Sequence, residues 1–407
     1  MPKRVKEYRG HSQVLERLNL KNAHLLLVLF CFTGLFLAVD SYNHITLLIV
    51  GCILANIIQK KSAKIDINET TLVFGFSLLT AIAIKHFYGY SSSSLRIIAL
   101  FFLLSLFLPK ATISKHALST IIVIASISTV SYSLFQYFIL DKGRYWDINP
   151  ILHGTFTSTM VCLCLFFCLT ASKKKEQWLY FGAGTLFAFS LNLSESRGPL
   201  LSMLITGLCI VIFLCFSKRC KHKQAIIVFV TFLIFSTANS QLLQRVFYKS
   251  EMLQTSSLAS STSGAEKNVQ ARFDMWKQGV LLLQEQFPNG YGNETTSLMN
   301  NMLDEKGISY FNGVNFQHFH NQYIDYSVRY GFLGIIFVIL LFSFPFYFAL
   351  KHRTDNTYIL AIASLVYAIN SLTDVPLSHK PTLAFFLFMF IVAIWYQPSE
   401  NKQSHIG

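Results

Sequence analysis

Residues 198–216 read GPLLSMLITGLCIVIFLCF, a run without a single charged side chain, bounded by Arg197 on one side and by Lys218, Arg219, Lys221 and Lys223 on the other. A run of that length and composition is what a helix needs to cross a bilayer. Lipid offers backbone N–H and C=O groups no water, so a helix, which satisfies its own, is the form such a run takes. The flanking charges then mark two different membrane faces.

Working outward, comparable runs recur near 24–39, 44–59, 69–87, 94–109, 116–140, 152–171, 177–193, 224–238, 331–350, 356–372 and 381–396. With 198–216 they predict an all-α integral membrane protein of about 12 transmembrane helices. Composition agrees: of 407 residues 53% are hydrophobic and 13% charged, against about 25% charged in soluble proteins. The 38 phenylalanines suit helices that face lipid with bulky side chains.

The connectors set the orientation. Alternate connectors and termini hold 21 Lys and Arg, among them Lys60, Lys61, Lys173–Lys175, Lys218, Arg219, Lys351 and Arg353. The intervening short connectors hold six: Lys85, Arg96, Lys142, Arg144, Arg197 and Lys380. By the positive-inside rule both termini are cytoplasmic, and the long connector 238–330 falls outside. The net charge of +14 is therefore a statement about topology. No basic stretch with interleaved aromatics points to nucleic acid. The predicted division is 1–237 with about nine helices, 238–330 as one large outer loop containing short helices, and 331–407 with about three helices and a tail. The polar N-terminus to about residue 22 shows no cleavable signal peptide, so the first apolar run reads as an uncleaved anchor.

The eight cysteines lie in apolar segments or at their Lys-rich ends, and none falls in 238–330, which excludes a disulfide scaffold there. Cys162, Cys164 and Cys168 read as small buried hydrophobes on a helix, not as metal ligands. Within the loop, Ser250–Lys267 is rich in Ser and Thr and reads as a mobile stretch. From Gln270 to Gln286 Phe273, Trp276, Val280 and Leu283 share one helical face, and Pro288–Gly292 is a turn cluster that ends it.

Three features could carry chemistry, all on the outer side. Ser194-Glu-Ser-Arg-Gly-Pro-Leu200 joins two spans, with Arg197 at a helix N-terminus, a natural anion site; the plain alternative is an arginine that snorkels at the interface. Arg272 opens the amphipathic loop helix and by itself reads as a solvated surface residue. His320-Asn321 precedes a membrane helix that carries Gly331 and Gly334, which permit close approach. An imidazole with a pKa near ~6.5 suits proton removal from a hydroxyl, although an interfacial histidine is more often structural. His318 and His320 lack a neighbouring carboxylate or cysteine set in sequence, so no metal is assigned. P-loop, dinucleotide, H-E-x-x-H and G-x-S-x-G patterns are absent. Energy outside the cytoplasm would have to arrive with the substrate, as in an activated lipid pyrophosphate.

The order of His320-Asn321, Gly331 and Gly334, preceded by Ser196-Arg197-Gly198 and by Arg272, Trp276 and Pro288-x-Gly-Tyr-Gly292, resembles the O-antigen ligase and polymerase superfamily. The resemblance covers the whole topology. It implies a bacterial inner-membrane glycosyltransferase of lipopolysaccharide biosynthesis. Such a ligase moves O-antigen polysaccharide from undecaprenyl pyrophosphate to lipid A–core on the periplasmic face. It further implies His320 as general base, Arg197 and Arg272 as ligands of the donor pyrophosphate, and a metal-independent inverting transfer with no cofactor. Asn321 would orient the histidine or a sugar hydroxyl. Arg144 and His153, near another outer connector, would meet the donor or serve structure. Its partners would be the lipid-linked glycan, the lipid A–core acceptor and membrane lipids. The alternatives are an O-antigen polymerase, disfavoured by the short second outer connector, and a twelve-helix transporter or flippase. The latter would need polar residues along a path through the bundle.

Overall fold

Asparagine, serine and threonine residues set where the helices begin. Asn68 Oδ1 accepts from Thr71 N at 2.9 Å, Asn149 Oδ1 from Ile151 N at 2.9 Å just before Pro150, and Thr354 and Thr357 form a reciprocal capping box. Each satisfies a backbone donor that the first turn leaves free. The structure is a computed structural model and describes residues 23–37, 41–60, 68–107, 113–140, 146–237, 264–305 and 316–397.

Along the chain the helices are α1 (Ala23–Phe32), α2 (Ser41–Lys60), α3 (Glu69–Tyr88), α4 (Ser92–Leu106), α5 (Lys115–Leu134, continued by a π-helical turn Phe135–Ile139), α6 (Pro150–Thr170) and α7 (Lys174–Leu193). They continue with α8 (Arg197–Phe216), α9 (His222–Thr237), α10 (Gly264–Gln286), α11 (Thr295–Glu305), α12 (Gln322–His352), α13 (Asp355–Asn370) and α14 (Lys380–Trp395). Two residues of β1 (Ile113–Ser114) pair in parallel with β2 (Tyr396–Gln397). Among the described residues the fold is all-α apart from that bridge.

Each apolar run read from the sequence coincides with a helix. Five of them, α3, α5 with its π turn, α6, α8 and α12, are long and apolar enough to cross a membrane. Helices at 23–36, 43–58, 92–106, 222–237 and 380–395 are apolar but shorter. α6 sits at the centre, its side chains buried from Leu152 to Leu169, including Cys162, Cys164 and Cys168. Around it, α3, α8, α9 and α12 leave Leu72, Leu79, Leu208, Ile227, Ile339 and Leu350 exposed. Apolar side chains on the perimeter of an apolar bundle are what a lipid-facing surface requires.

The contacts sort the connectors into two groups. At one end of the bundle Lys115 pairs with Glu176 at 2.6 Å, Arg219 with Asp355 at 3.3 Å, and Lys351 and His352 with Glu69. These belong to the Lys-rich connectors. The intervening connectors meet one another elsewhere: Gly154 packs on Ser196 and Pro199, Gly198 on Asn370 and Thr373, and Gly292 on Tyr88.

Two elements differ from the reading of the sequence. The helix expected from 331 starts at Gln322 and is broken at Gly331, which has φ 56° and ψ −139°. The kink frees backbone groups that the turn after α10 satisfies: Tyr291 N donates to Val328 O and Phe332 N to Pro288 O, both at 2.9 Å. The loop helix α10 is also rotated from the expected face. Ala271, Met275, Gln278 and Leu282 are buried, whereas Phe273 and Val280 are exposed. Gly279 lets the helix close on Phe319 and Ile324, and that contact selects the buried side. Of the Ser/Thr-rich stretch, residues 250–263 lie outside the described residues, and α10 already begins at Gly264.

Candidate functional site

The segment before α12 is built around one buried phenylalanine. Phe319 sinks fully into a small core with Met275, Leu282, Met299 and Val328. Its N–H reaches Asp325 Oδ1 at 3.3 Å, and its carbonyl accepts from Trp276 Nε1 at 2.9 Å. Asp325 is in turn held by Arg329 Nε at 3.0 Å, and Arg329 Nη2 donates to Gln317 O at 2.5 Å. The histidines on either side of Phe319 meet with ring centroids 4.3 Å apart. His320 takes φ 50°, the left-handed region that residues with a Cβ seldom occupy. Strain of this kind, of about 1–3 kcal/mol, persists only where the surroundings impose it, and it collects at functional sites.

Asn321 then starts the helix, its Oδ1 accepting from Tyr323 N at 3.0 Å and Ile324 N at 3.1 Å. Its amide donates to Leu372 O at 3.2 Å. Gln322 clasps the same connector: its N–H donates to Ser371 O and Asp374 O, and its Oε1 accepts from Leu377 N at 2.8 Å. These bonds fix the 371–379 connector against His320. The result is an Asp374 carboxylate, 2% exposed, with Oδ1 3.5 Å from His320 Nδ1. Among the described residues neither of those atoms has a hydrogen-bond partner of ordinary geometry.

Burial by itself would raise the Asp374 carboxyl, but the His320 contact holds it below the ordinary carboxylate range. Burial pushes His318 down to about 3 and lowers His379 as well. The cluster is thus an ionised carboxylate among His320 and two neutral imidazoles. A proton on Nδ1, beside the carboxylate, would leave the Nε2 lone pair of His320 free to accept another.

Arg197 is the first residue of α8. Ser196 makes no side-chain cap there, and Glu195 before it takes φ 50°. The uncapped N–H groups and the helix dipole favour an anion at this end. A Cβ on Gly198 would collide with Thr373, so the Arg197 hinge lies directly against the connector that carries Asp374. Arg272 stands on α10 one turn before Trp276, whose indole bonds the backbone beside His320. The Arg197 hinge and Asn321 thus both meet the connector that carries Asp374, while Arg272 lies one turn along α10 from the tryptophan that bonds Phe319 O.

His153 does not open onto that cluster. It is fully buried in α6, its Nε2 3.1 Å from Ser133 Oγ and 3.0 Å from Ser190 Oγ, with Trp146 edge-on at 5.1 Å. Its neighbour Gly154 packs on Ser196 and Pro199 of the Arg197 hinge. Arg144 lies outside the described residues. The sequence reading missed Asp374 and His379. Thr373-Asp-Val-Pro-Leu-Ser-His379 is a polar connector between two apolar runs, the same signal that singled out Ser194–Leu200. His318, Asp374 and His379 also place potential metal-ligand atoms within 4.8 Å of one another. The carboxylate that seemed missing near His318 in sequence is thus supplied by another connector.

A relative from Haemophilus influenzae, described as an uncharacterized protein, is 24% identical over 370 residues, covering 85% of this chain and 90% of its own. Residues 182–339 match the model of the O-antigen ligase family. The match contains Arg197, Arg272, His320, Asn321, Gly331 and Gly334, and it stops before Asp374. Residues 182–339 are thus similar to an O-antigen ligase domain.

Proposed function

We propose that the protein is an O-antigen ligase that transfers a completed polysaccharide from undecaprenyl pyrophosphate to lipid A–core. The observation that carries this reading is the His320–Asp374 pair beside the Arg197 helix terminus. His320 Nε2 takes the proton of the acceptor hydroxyl. The hydroxyl oxygen attacks the anomeric carbon, and the bond from that carbon to the pyrophosphate oxygen breaks. A single displacement inverts the anomeric centre. The departing pyrophosphate keeps the bonding electron pair, and Arg197 and Arg272 offset its charge through bidentate guanidinium contacts. Asp374 holds the imidazole in the useful tautomer and stabilises the imidazolium that forms. Asn321 supports both by pinning the turn to the Asp374 connector. His153 buttresses the bundle beneath the Arg197 hinge. The scheme routes no step through a metal ion.

In this reading all twelve apolar helices span the inner membrane, both termini are cytoplasmic, and the site faces the periplasm. The opposite placement of the Lys-rich ion pairs supports it. The N-terminal spans (1–237) and C-terminal spans (331–407) frame the loop 238–330, which brings Arg272 to the site.

Lipopolysaccharide laddering tests the reading in a ligase-null strain carrying wild type or His320→Ala, with membrane levels matched. Long-chain ladders with wild type and bare core with the variant are expected. Ladders with His320→Ala would remove the general-base role. Rescue of a polymerase-null strain instead would make the protein a polymerase of the same superfamily.

A further inference from the structure

We propose that His318, Asp374 and His379 form a binding site for a divalent transition cation of the Zn²⁺ class, and that its occupancy switches the transfer site off. Two imidazoles and one carboxylate are the donor set such a cation takes. Their candidate ligand atoms lie within 4.8 Å of one another. A tetrahedral site with bonds of about 2.0 Å needs edges of roughly 3.3 Å, so a modest closure by side-chain rotation completes it.

A second observation points into the same space. Asp374 is 2% exposed and its Oδ1 has the 3.5 Å approach of His320 Nδ1 but no hydrogen bond of ordinary geometry, while the buried His379 Nε2 has no hydrogen-bond partner among the described residues. A buried carboxylate oxygen with one long contact and a buried ring nitrogen with none are costly, and a cation would satisfy both. The nearby Arg329 is paired with Asp325 at 3.0 Å, which reduces its repulsion of an incoming cation. The rings of His318 and His379 also lie edge to face, with centroids 5.8 Å apart.

Occupancy would oppose transfer in two ways. The cation takes the Asp374 carboxylate that otherwise holds His320. It also disturbs the turn, because His318 Nδ1 accepts the His320 N–H at 3.3 Å. A neutral imidazole ligating through one nitrogen carries its proton on the other, so ligation through either ring nitrogen ends that contact. The inhibitory half rests on the ligase reading; the binding half does not.

The test uses full-length protein in nanodiscs with Co²⁺ as the probe. Wild type should give the visible d–d absorption of a four- to five-coordinate N/O site, displaced by Zn²⁺ and absent from Asp374→Asn and His379→Gln. A Co²⁺ site on Cys215 and Cys220 would instead show thiolate charge-transfer bands. Variants that retain wild-type melting temperature and the full Co²⁺ spectrum would overturn the site. In a transfer assay, Zn²⁺ should lower wild-type activity at least tenfold, with recovery on chelation. His379→Gln should keep basal activity and ignore Zn²⁺. Co²⁺ binding without inhibition would overturn the regulatory half. Absence of transfer in metal-free wild type would count against the ligase reading and leave the Co²⁺ result standing.

Discussion

His320 Nδ1 stands 3.5 Å from Asp374 Oδ1, although the two residues come from connectors on opposite sides of α12 and α13. Backbone bonds from Gln322 to Ser371 and Asp374 hold that separation, so the pair is fixed by the fold and not by side-chain chance. Replacing the carboxylate by an amide keeps the shape and removes the charge. Asp374→Asn should lower kcat about 10²-fold with donor affinity little changed, and Asp374→Glu should fall between. Transfer kinetics with purified protein and lipid-linked donor check this, and wild-type kcat in Asp374→Asn would remove the pair from the mechanism.

The buried His318 gives the site a pH signature. Burial pushes its ring down to about 3, whereas an unfolded imidazole titrates near ~6.5. Between those values the unfolded chain binds the additional proton, so stability is full above the upper one and declines as pH falls toward the lower. Melting temperature should drop from pH 7 to pH 5, and His318→Gln should flatten that slope. An unchanged slope in the variant would place the proton uptake elsewhere.

Gly331 carries the sharpest steric constraint near the site. Its φ is 56°, and a Cβ would collide with the Pro288 and Asn289 backbone. Gly331→Ala should therefore cost about 3 kcal/mol or more, combining backbone strain with displaced main chain. The expected result is loss of folded protein on size-exclusion chromatography or a large fall in melting temperature. Full stability in the alanine variant would contradict the kink described for α12.

Arginine and lysine should behave differently at the two anion positions. A guanidinium meets two phosphate oxygens at once, and an ammonium acts as a single point charge. Arg197→Lys should raise the donor KM about tenfold, and Arg197→Ala should also lower kcat if leaving-group charge is offset there. Arg272→Lys and Arg272→Ala should follow the same order. Equal kinetics for lysine and arginine would reduce the role to simple positive charge.

Trp276 links Arg272 to the histidine turn. Trp276→Phe keeps the ring but leaves Phe319 O without its 2.9 Å donor. A loss of about 1–2 kcal/mol in stability is expected, together with a rise in the Arg272-dependent KM. Hydrogen exchange of residues 316–321 measures the loosening directly.

Much of the framework was legible in the chain because lipid imposes a simple rule. Apolar runs become helices, so each run from 24–39 to 381–396 coincides with one, and the alternating Lys-rich connectors gather their ion pairs at one end. Arg197 and His320 stood out for the same reason, as polar side chains at the ends of apolar helices. Tertiary structure decided what local pattern leaves open. Which face of α10 is buried depended on Gly279 meeting Phe319, not on the spacing of Phe273 and Val280. The true start of α12 depended on a kink whose freed backbone groups are satisfied by a turn from another segment. Asp374 entered the site only because Gln322 and Asn321 bind its connector across the fold. Sequence periodicity reports how a segment meets its solvent, whereas the pairing of His320 with Asp374 is set by packing between helices distant along the chain, which no single segment records.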